Sequence, residues 1–375
     1  MWLGVRNTVH NVRAPRRAGC ALRKDDANEA HTHRKGTAMS QITMTTTLGE
    51  IEDILGRDQF GGYLMECRAS TQERMQKTCL DDLASFAGPI QGARALRGVQ
   101  LLERLVGEGR EVARPLYSAD EVASDPTKAV SRLFFMPGEA GAPFVVVVPG
   151  GSYQSVCSYQ EGFPTAADLV ETGYNVFLLT YRTRMEERSA KPISLAIEDL
   201  AQAIRHILDN ADAYQVAPRY AVWGWSAGGH LTAEWGTNNW GAANWDLQPA
   251  DMLMLGYPAI DFHTLITSAE DAGKDKFFAS VLGAKKPDMA NIDEFAIEKH
   301  LGDAYPATFI WQCKDDEVVP YENFRLMDAA LEAAEVRHQS VSYSAGGHGL
   351  LHAHGAEADG WTATAIAFLN AVMGR

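Results

Sequence analysis

The decisive stretch is Tyr220–Leu231, YAVWGWSAGGHL, because its character changes half-way along. Tyr220 to Trp225 is an apolar, aromatic run of strand length, and Gly228 to Gly236 reads as a helix. Between them lies Gly224-Trp225-Ser226-Ala227-Gly228, a serine flanked by glycines at a strand-to-helix junction. A residue on so sharp a turn takes a strained backbone, and flanking glycines leave room for neighbouring chain to pass closely. The turn lifts the hydroxyl clear of a sheet and aims a helix amino terminus at negative charge developing beside it. A five-residue pattern with two wild cards occurs by chance; the strand before and helix after make it specific.

The surrounding chain alternates in the same way. Phe144 to Val148 (FVVVV) is a continuous apolar run, the pattern of a strand buried on both faces in a parallel sheet. It ends at Pro149-Gly150-Gly151-Ser152-Tyr153, where a glycine pair lets backbone N–H groups approach a ligand and donate to an oxyanion. Ala129 to Met136 predicts a strand closed by Pro137-Gly138, Gln160 to Thr172 a helix, Asn175 to Tyr181 a strand, and Ser194 to Asn210 an amphipathic helix. Downstream, strands are expected at Met252–Tyr257, Ala307–Gln312 and Arg337–Tyr343, with helices at Tyr321–Glu335 and Trp361–Val372. Strand–helix alternation of this length argues an α/β fold with a mostly parallel sheet flanked by helices on both faces. Residues 258–302 break the rhythm and read as an insertion over the carboxyl edge of the sheet, where open α/β folds bind ligands.

Ahead of this α/β domain (129–375), apolar residues recur at helical spacing, as in Leu96, Val99, Leu102, Leu105 and Val106. They predict two or three helices within an N-terminal extension over 39–128. Residues 1–38 carry eight basic side chains against three acids, a net of +5, with too little apolar surface to fold. A disordered basic tail is expected there. Met39 and Met44 stand just before ordered-looking sequence, so a translation start at either would leave the tail untranslated. The whole chain is at −14, leaving −19 for residues 39–375, a charge that repels nucleic acid and anionic membranes. The apolar run at 142–148 falls far short of the ~20 residues of a membrane span. Five cysteines, an odd number without a CxxC pair, predict reduced thiols in a cytoplasmic protein. Neither a metal site nor a cofactor is expected, because no histidine stands at ligand spacing from the acidic pairs.

A serine on such a turn needs a base and an orienting acid, expected in the order Ser, Asp, His. Strand Ala307–Gln312 runs into Cys313-Lys314-Asp315-Asp316-Glu317-Val318-Val319-Pro320, which offers two adjacent carboxylates just beyond a strand end. The next strand leads to Gly346-Gly347-His348-Gly349, a loop able to bring an imidazole over Ser226. His352 and His354 lie near but lack the flanking glycines, so His348 is the preferred base. His230, inside the helix after the serine, reads as a packed or capping histidine.

VVVVPGGSY (145–153), QEGFPTAADLVETGYNVFLLTYR (160–182), IEDLAQAIRHI (197–207), WGWSAGGHL (223–231), DDEVVP (315–320) and GGHG (346–349) together resemble the α/β-hydrolase fold esterases, in particular the acetyl-esterase and carbohydrate-esterase-like branch. The resemblance runs from about Ala129 to the carboxyl terminus. It implies a catalytic triad of Ser226, Asp316 and His348, selecting Asp316 over Asp315 by its distance from the proline of the D-x-x-V-P pattern. It also implies oxyanion donors at the backbone N–H groups of Gly151, Ser152 and Ala227. Relatives usually carry a third glycine where this chain has Ser152, so a left-handed backbone there would be strained. The expected activity is hydrolysis of carboxylic esters with short acyl groups, acetyl on carbohydrate among them, through an acyl-enzyme. A peptidase or amidase on the same fold, or a catalytically silent binding protein, are the competing readings. Tyr153 and Trp225 are candidate platforms for a sugar ring. Glu161 is a candidate substrate contact through its resemblance to a family position beside the pocket, against a first-turn helix acid. The expected partner is a small-molecule or oligosaccharide ester, with no nucleic acid and no membrane.

Overall fold

The computed structural model describes residues 40–65, 69–82, 89–183, 192–267, 281–282, 292–351, 353 and 355–375. The tail over 1–38, His352, His354 and much of the 258–302 insertion lie outside the described residues. Eight strands make one sheet: β1 (Ala113–Pro115), β2 (Arg132–Met136), β3 (Phe144–Val148), β4 (Asn175–Thr180), β5 (Tyr220–Trp225), β6 (Met252–Gly256), β7 (Ala307–Cys313) and β8 (His338–Tyr343). Their spatial order is β1-β2-β4-β3-β5-β6-β7-β8. β2 runs antiparallel to both β1 and β4, and every pairing from β4 to β8 is parallel.

Side chains alternate across a strand, and this sorts the apolar runs into two core layers. Phe144, Val146 and Val148 face one layer together with Val222, Leu253, Leu255 and Ile310. The helices Pro192–Asp209 and Glu322–Ala333 cover that face with Ile197, Leu200, Ile204, Phe324 and Leu331. Val145 and Val147 face the other layer beside Ala221, Trp223, Met254 and Phe309. There the helices Leu48–Leu55, Pro89–Gly107, Phe163–Glu171 and Trp361–Met373 close the core. The central strands are therefore buried on both sides, which is why they read as continuous apolar runs.

The amino-terminal helices thus share a core layer with the sheet. Thr47 opens the first one by accepting the Glu50 N–H, and the Glu50 carboxylate accepts the Thr47 N–H in return. Helix Pro89–Gly107 crosses helix Phe163–Glu171 at Gly98, where a Cβ would lie 2.7 Å from the Phe163 backbone. Asp168 accepts from Arg97 at 2.6 Å and Arg94 at 3.2 Å across the same crossing. The crossing anchors the segment that carries Glu161.

Three local expectations shift. The strand read from Ala129 begins only at Arg132, because Asp125 caps a 3₁₀ turn over Pro126–Val130 through the Thr127 N–H. The helix read from Gln160 opens as a wide π-turn, Ser158–Gly162, and becomes α-helical at Phe163, with Pro164 in the first turn where its missing N–H costs nothing. The helix after the serine starts at Ser226 itself, two residues before its predicted start. β1 escaped sequence reading because three residues carry no periodicity.

Candidate active site

Parallel strands deliver their carboxyl ends to one edge, and the predicted site segments all leave from there. β3 leads into Pro149–Tyr153, β5 into Ser226, β7 into Asp315-Asp316 and β8 into the loop of His348. Ser226 takes φ 51 between extended Trp225 and the helix Ser226–Glu234, the left-handed backbone expected of so tight a turn. For a non-glycine residue this costs roughly 1–2 kcal/mol, and close packing all around holds it. A Cβ at Gly228 would lie 2.1 Å from the Val148 carbonyl oxygen, and one at Gly224 2.2 Å from that of Gly228. Both flanking positions therefore require glycine.

His348 stands between the other two residues. Its Nε2 is 2.9 Å from Ser226 Oγ and its Nδ1 is 2.7 Å from Asp316 Oδ2. A carboxylate only accepts, so Nδ1 carries the hydrogen and Nε2 is left to accept from the serine hydroxyl. Asp316 is buried and its other oxygen accepts the N–H groups of Val318 and Val319, each at 2.9 Å. Gln312 Nε2 adds a bond to Oδ2 at 3.2 Å. Asp315 turns the other way and meets the backbone of Gly346 and Gly347. The choice between the adjacent aspartates is thus made by geometry, in favour of Asp316.

The loop after β3 is pinned through its carbonyls. Gly150 O accepts the Cys157 N–H at 2.9 Å, and Gly151 O accepts those of Gln154 and Ser155 at 2.9 and 3.1 Å. In a trans peptide the N–H points opposite to its carbonyl, so the Gly151 and Ser152 N–H groups are directed away from these bonds. Among the described residues neither of them donates a hydrogen bond. The loop lies against the serine, since a Cβ on Gly150 would sit 2.8 Å from Ser226 Cβ. The Ala227 N–H lies in the first helical turn, where amides have no intrahelical acceptor. Free backbone N–H donors on segments next to a serine are what an oxyanion would require. Ser152 has φ 58 and Tyr153 φ 55, so the departure from glycine does fall on a strained backbone.

Two candidate sugar platforms are corrected. Tyr153 is buried, and its hydroxyl donates to His230 Nδ1 at 2.8 Å. Trp225 is wholly buried against Tyr257, Trp311 and Trp361, so neither ring can face a substrate. The reason is the alternation along β5, which sends Trp225 into the second core layer. Burial pushes the His230 imidazole down to about 4, so it is neutral, with Nε2–H donating to Phe295 O at 3.0 Å. His230 is the packed histidine expected, and it ties the loop after β3 to the flank of the insertion.

Glu161 is buried directly beneath that loop. Its Oε2 accepts the Gly150 N–H and its Oε1 accepts the Tyr257 hydroxyl at 3.2 Å. Burial pushes its carboxyl up to about 7, opposed by the Gly150 N–H, by the nearby His348 and by Tyr257. Tyr257, with its ring centroid 4.8 Å from that of His348, was not anticipated. Its only sequence signal was its place at the end of the predicted strand Met252–Tyr257, which the structure ends one residue earlier. Among the described residues no three His, Cys, Asp or Glu side chains gather to hold a metal ion.

A family model, BD-FAE, matches residues 134–331, more than half of the chain, and takes in Ser226 and Asp316. The chain belongs to the BD-FAE family. It has the α/β-hydrolase fold, as the mostly parallel eight-stranded sheet and its flanking helices require. Among curated proteins it is similar to endo-1,4-beta-xylanase B of Butyrivibrio fibrisolvens, at 31% identity over 58% of this chain and 34% of that one. It is also similar to the acetylxylan esterase of Xylanibacter ruminicola, at 26% identity over 52% of this chain and 38% of the other. The chain therefore spans little more than a third of the length of these relatives. Among solved structures, the acetyl ester-xyloside bifunctional hydrolase from Caldicellulosiruptor lactoaceticus superposes with a TM-score of 0.59 at 24% identity, covering 70% of this chain and 97% of that one. At that identity the likeness speaks for the BD-FAE chain's fold alone.

Proposed function

We propose that the protein is a serine esterase that removes short acyl groups, acetyl among them, from carbohydrate esters through an acyl-enzyme. The observation that carries the reading is the unbroken hydrogen-bonded run from Ser226 through His348 to Asp316. Ser226 Oγ attacks the ester carbonyl while His348 Nε2 takes its proton, and Asp316 stabilises the imidazolium. The N–H groups of Gly151, Ser152 and Ala227 hold the oxyanion of the tetrahedral intermediate. Collapse breaks the carbon–oxygen bond to the alcohol, which leaves with the proton from His348. Water, deprotonated by His348, then attacks the acyl-serine and releases the acid together with Ser226.

Family membership supports an ester substrate, and the acetylxylan esterase among the relatives supports acetyl on xylan. A glycosidase reading, prompted by the xylanase's name, has less support. Glycoside cleavage needs two carboxyl groups facing the sugar. Here Asp316 is engaged by His348 and two backbone N–H groups, and Glu161 by Gly150 and Tyr257. The test is turnover of acetyl, butyryl and octanoyl p-nitrophenyl esters, acetylated xylo-oligosaccharides and a dipeptide amide. Acetyl esters should turn over fastest and the amide not at all, and Ser226→Ala should lose on the order of 10⁴-fold or more. Wild-type turnover in the alanine variant would sink the reading.

A further inference from the structure

The two neighbouring aspartates after β7 hold different parts of the same loop. Asp316 binds the His348 ring, whereas Asp315 accepts the Gly346 N–H on Oδ2 at 3.0 Å and the Gly347 N–H on Oδ1 at 2.8 Å. This loop has little stiffness of its own. Gly346, Gly347 and Gly349 sit at φ 150, 68 and 74, and glycine has more backbone freedom to lose than any other residue. Upstream the loop is tied at Ser344, whose N–H donates to Glu357 at 2.8 Å. Between that tie and His348, the Asp315 carboxylate is the acceptor for the Gly346 and Gly347 amides among the described residues.

We propose that Asp315 is a positioning residue for the hydrolysis, its two oxygens clamping the Gly346-Gly347 backbone so that His348 stays within reach of Ser226. The inference rests on the esterase reading above. Asp315 is exposed, so when its carboxylate is removed water can satisfy the two freed N–H groups. Global stability should therefore barely move. Water does not fix direction, however, and a histidine displaced by about 1 Å loses on the order of 10²-fold in rate.

The reaction itself separates positioning from a merely structural role. His348 must protonate an alkyl alcohol as it leaves, whereas p-nitrophenolate departs without a proton. Misplacing the imidazole therefore harms alkyl esters more than nitrophenyl esters. In Asp315→Ala, kcat/KM should fall on the order of 10²-fold for ethyl acetate but only about 10-fold for p-nitrophenyl acetate, with the melting temperature unchanged. Asp315→Asn keeps one acceptor oxygen and should lie between wild type and alanine on both esters. Wild-type kinetics in the alanine variant, or equal losses on both esters with a lower melting temperature, would overturn the inference and leave the esterase reading standing. A wild-type protein that hydrolyses neither ester and takes up no fluorophosphonate would instead overturn the esterase reading, and this inference with it.

Discussion

Replacing Glu161 by glutamine should change how the stability of this protein depends on pH, in a direction set by burial. The carboxyl is enclosed beneath the oxyanion loop and pushed up to about 7 from an ordinary glutamate value of 4.5. Between those values the folded chain keeps a proton that the unfolded chain has released. Stability therefore falls as pH rises through this window, because ionising Glu161 in place costs more than ionising it in water. Moving the carboxyl from 4.5 to about 7 corresponds to about 3 kcal/mol, lost in full above pH 7 and absent below about pH 4.5. Glutamine has the same shape, carries no charge, and can still accept the Gly150 N–H through its carbonyl oxygen. The difference in melting temperature, Glu161→Gln minus wild type, should therefore grow from near zero at pH 4.5 and level off above pH 7. For a chain of this length, 3 kcal/mol is roughly 4 °C. Differential scanning calorimetry at half-unit steps from pH 4.5 to 8.5 reads it directly. A difference that stays flat across the range would refute the account, since it would mean that Glu161 is ionised in the fold as readily as in water.

Other outcomes follow from contacts at the same edge of the sheet. Asp316→Asn should lower kcat on p-nitrophenyl acetate about 10⁴-fold, because an amide presented to Nδ1 favours the wrong imidazole tautomer, and the loss should far exceed that of Asp315→Asn. Tyr153→Phe leaves the buried His230 Nδ1 without its donor and should cost about 1–3 kcal/mol in urea unfolding, with a lower kcat because the oxyanion loop loses its tie to Phe295. Gly228→Ala places a methyl 2.1 Å from the Val148 carbonyl oxygen in a central strand that cannot yield. It should destabilise by about 3 kcal/mol and abolish fluorophosphonate labelling of Ser226.

Much of this arrangement was legible in the chain. The run FVVVV, with consecutive valines dealt alternately to two core layers, announced a strand covered on both faces. The serine turn was equally plain, because its strain and its need for glycine are local properties of a few consecutive residues. The short β1 and the π-turn before Phe163 were not, since the first is held by pairing with β2 and the second lies in a segment packed beneath the Gly150 loop. Tyr153 and Trp225 show the limit most clearly. Both stand beside the site in sequence, and both rings point into the core.

From the order of apolar periods came the alternation of strands and helices and the site at the carboxyl edge, and from glycine-flanked turns at strand ends came Ser226 with His348 as its candidate pair. Each of these depends on residues within one element or its next neighbour. Only the tertiary structure shows that Asp316 meets the histidine while Asp315 grips its loop, that His230 braces Tyr153, and that burial under the Gly150 loop pushes the Glu161 carboxyl up to about 7. Direction and desolvation of a side chain depend on segments that arrive from elsewhere in the chain. Asp316 and His348 lie 32 residues apart, and no local pattern encodes which way either one faces.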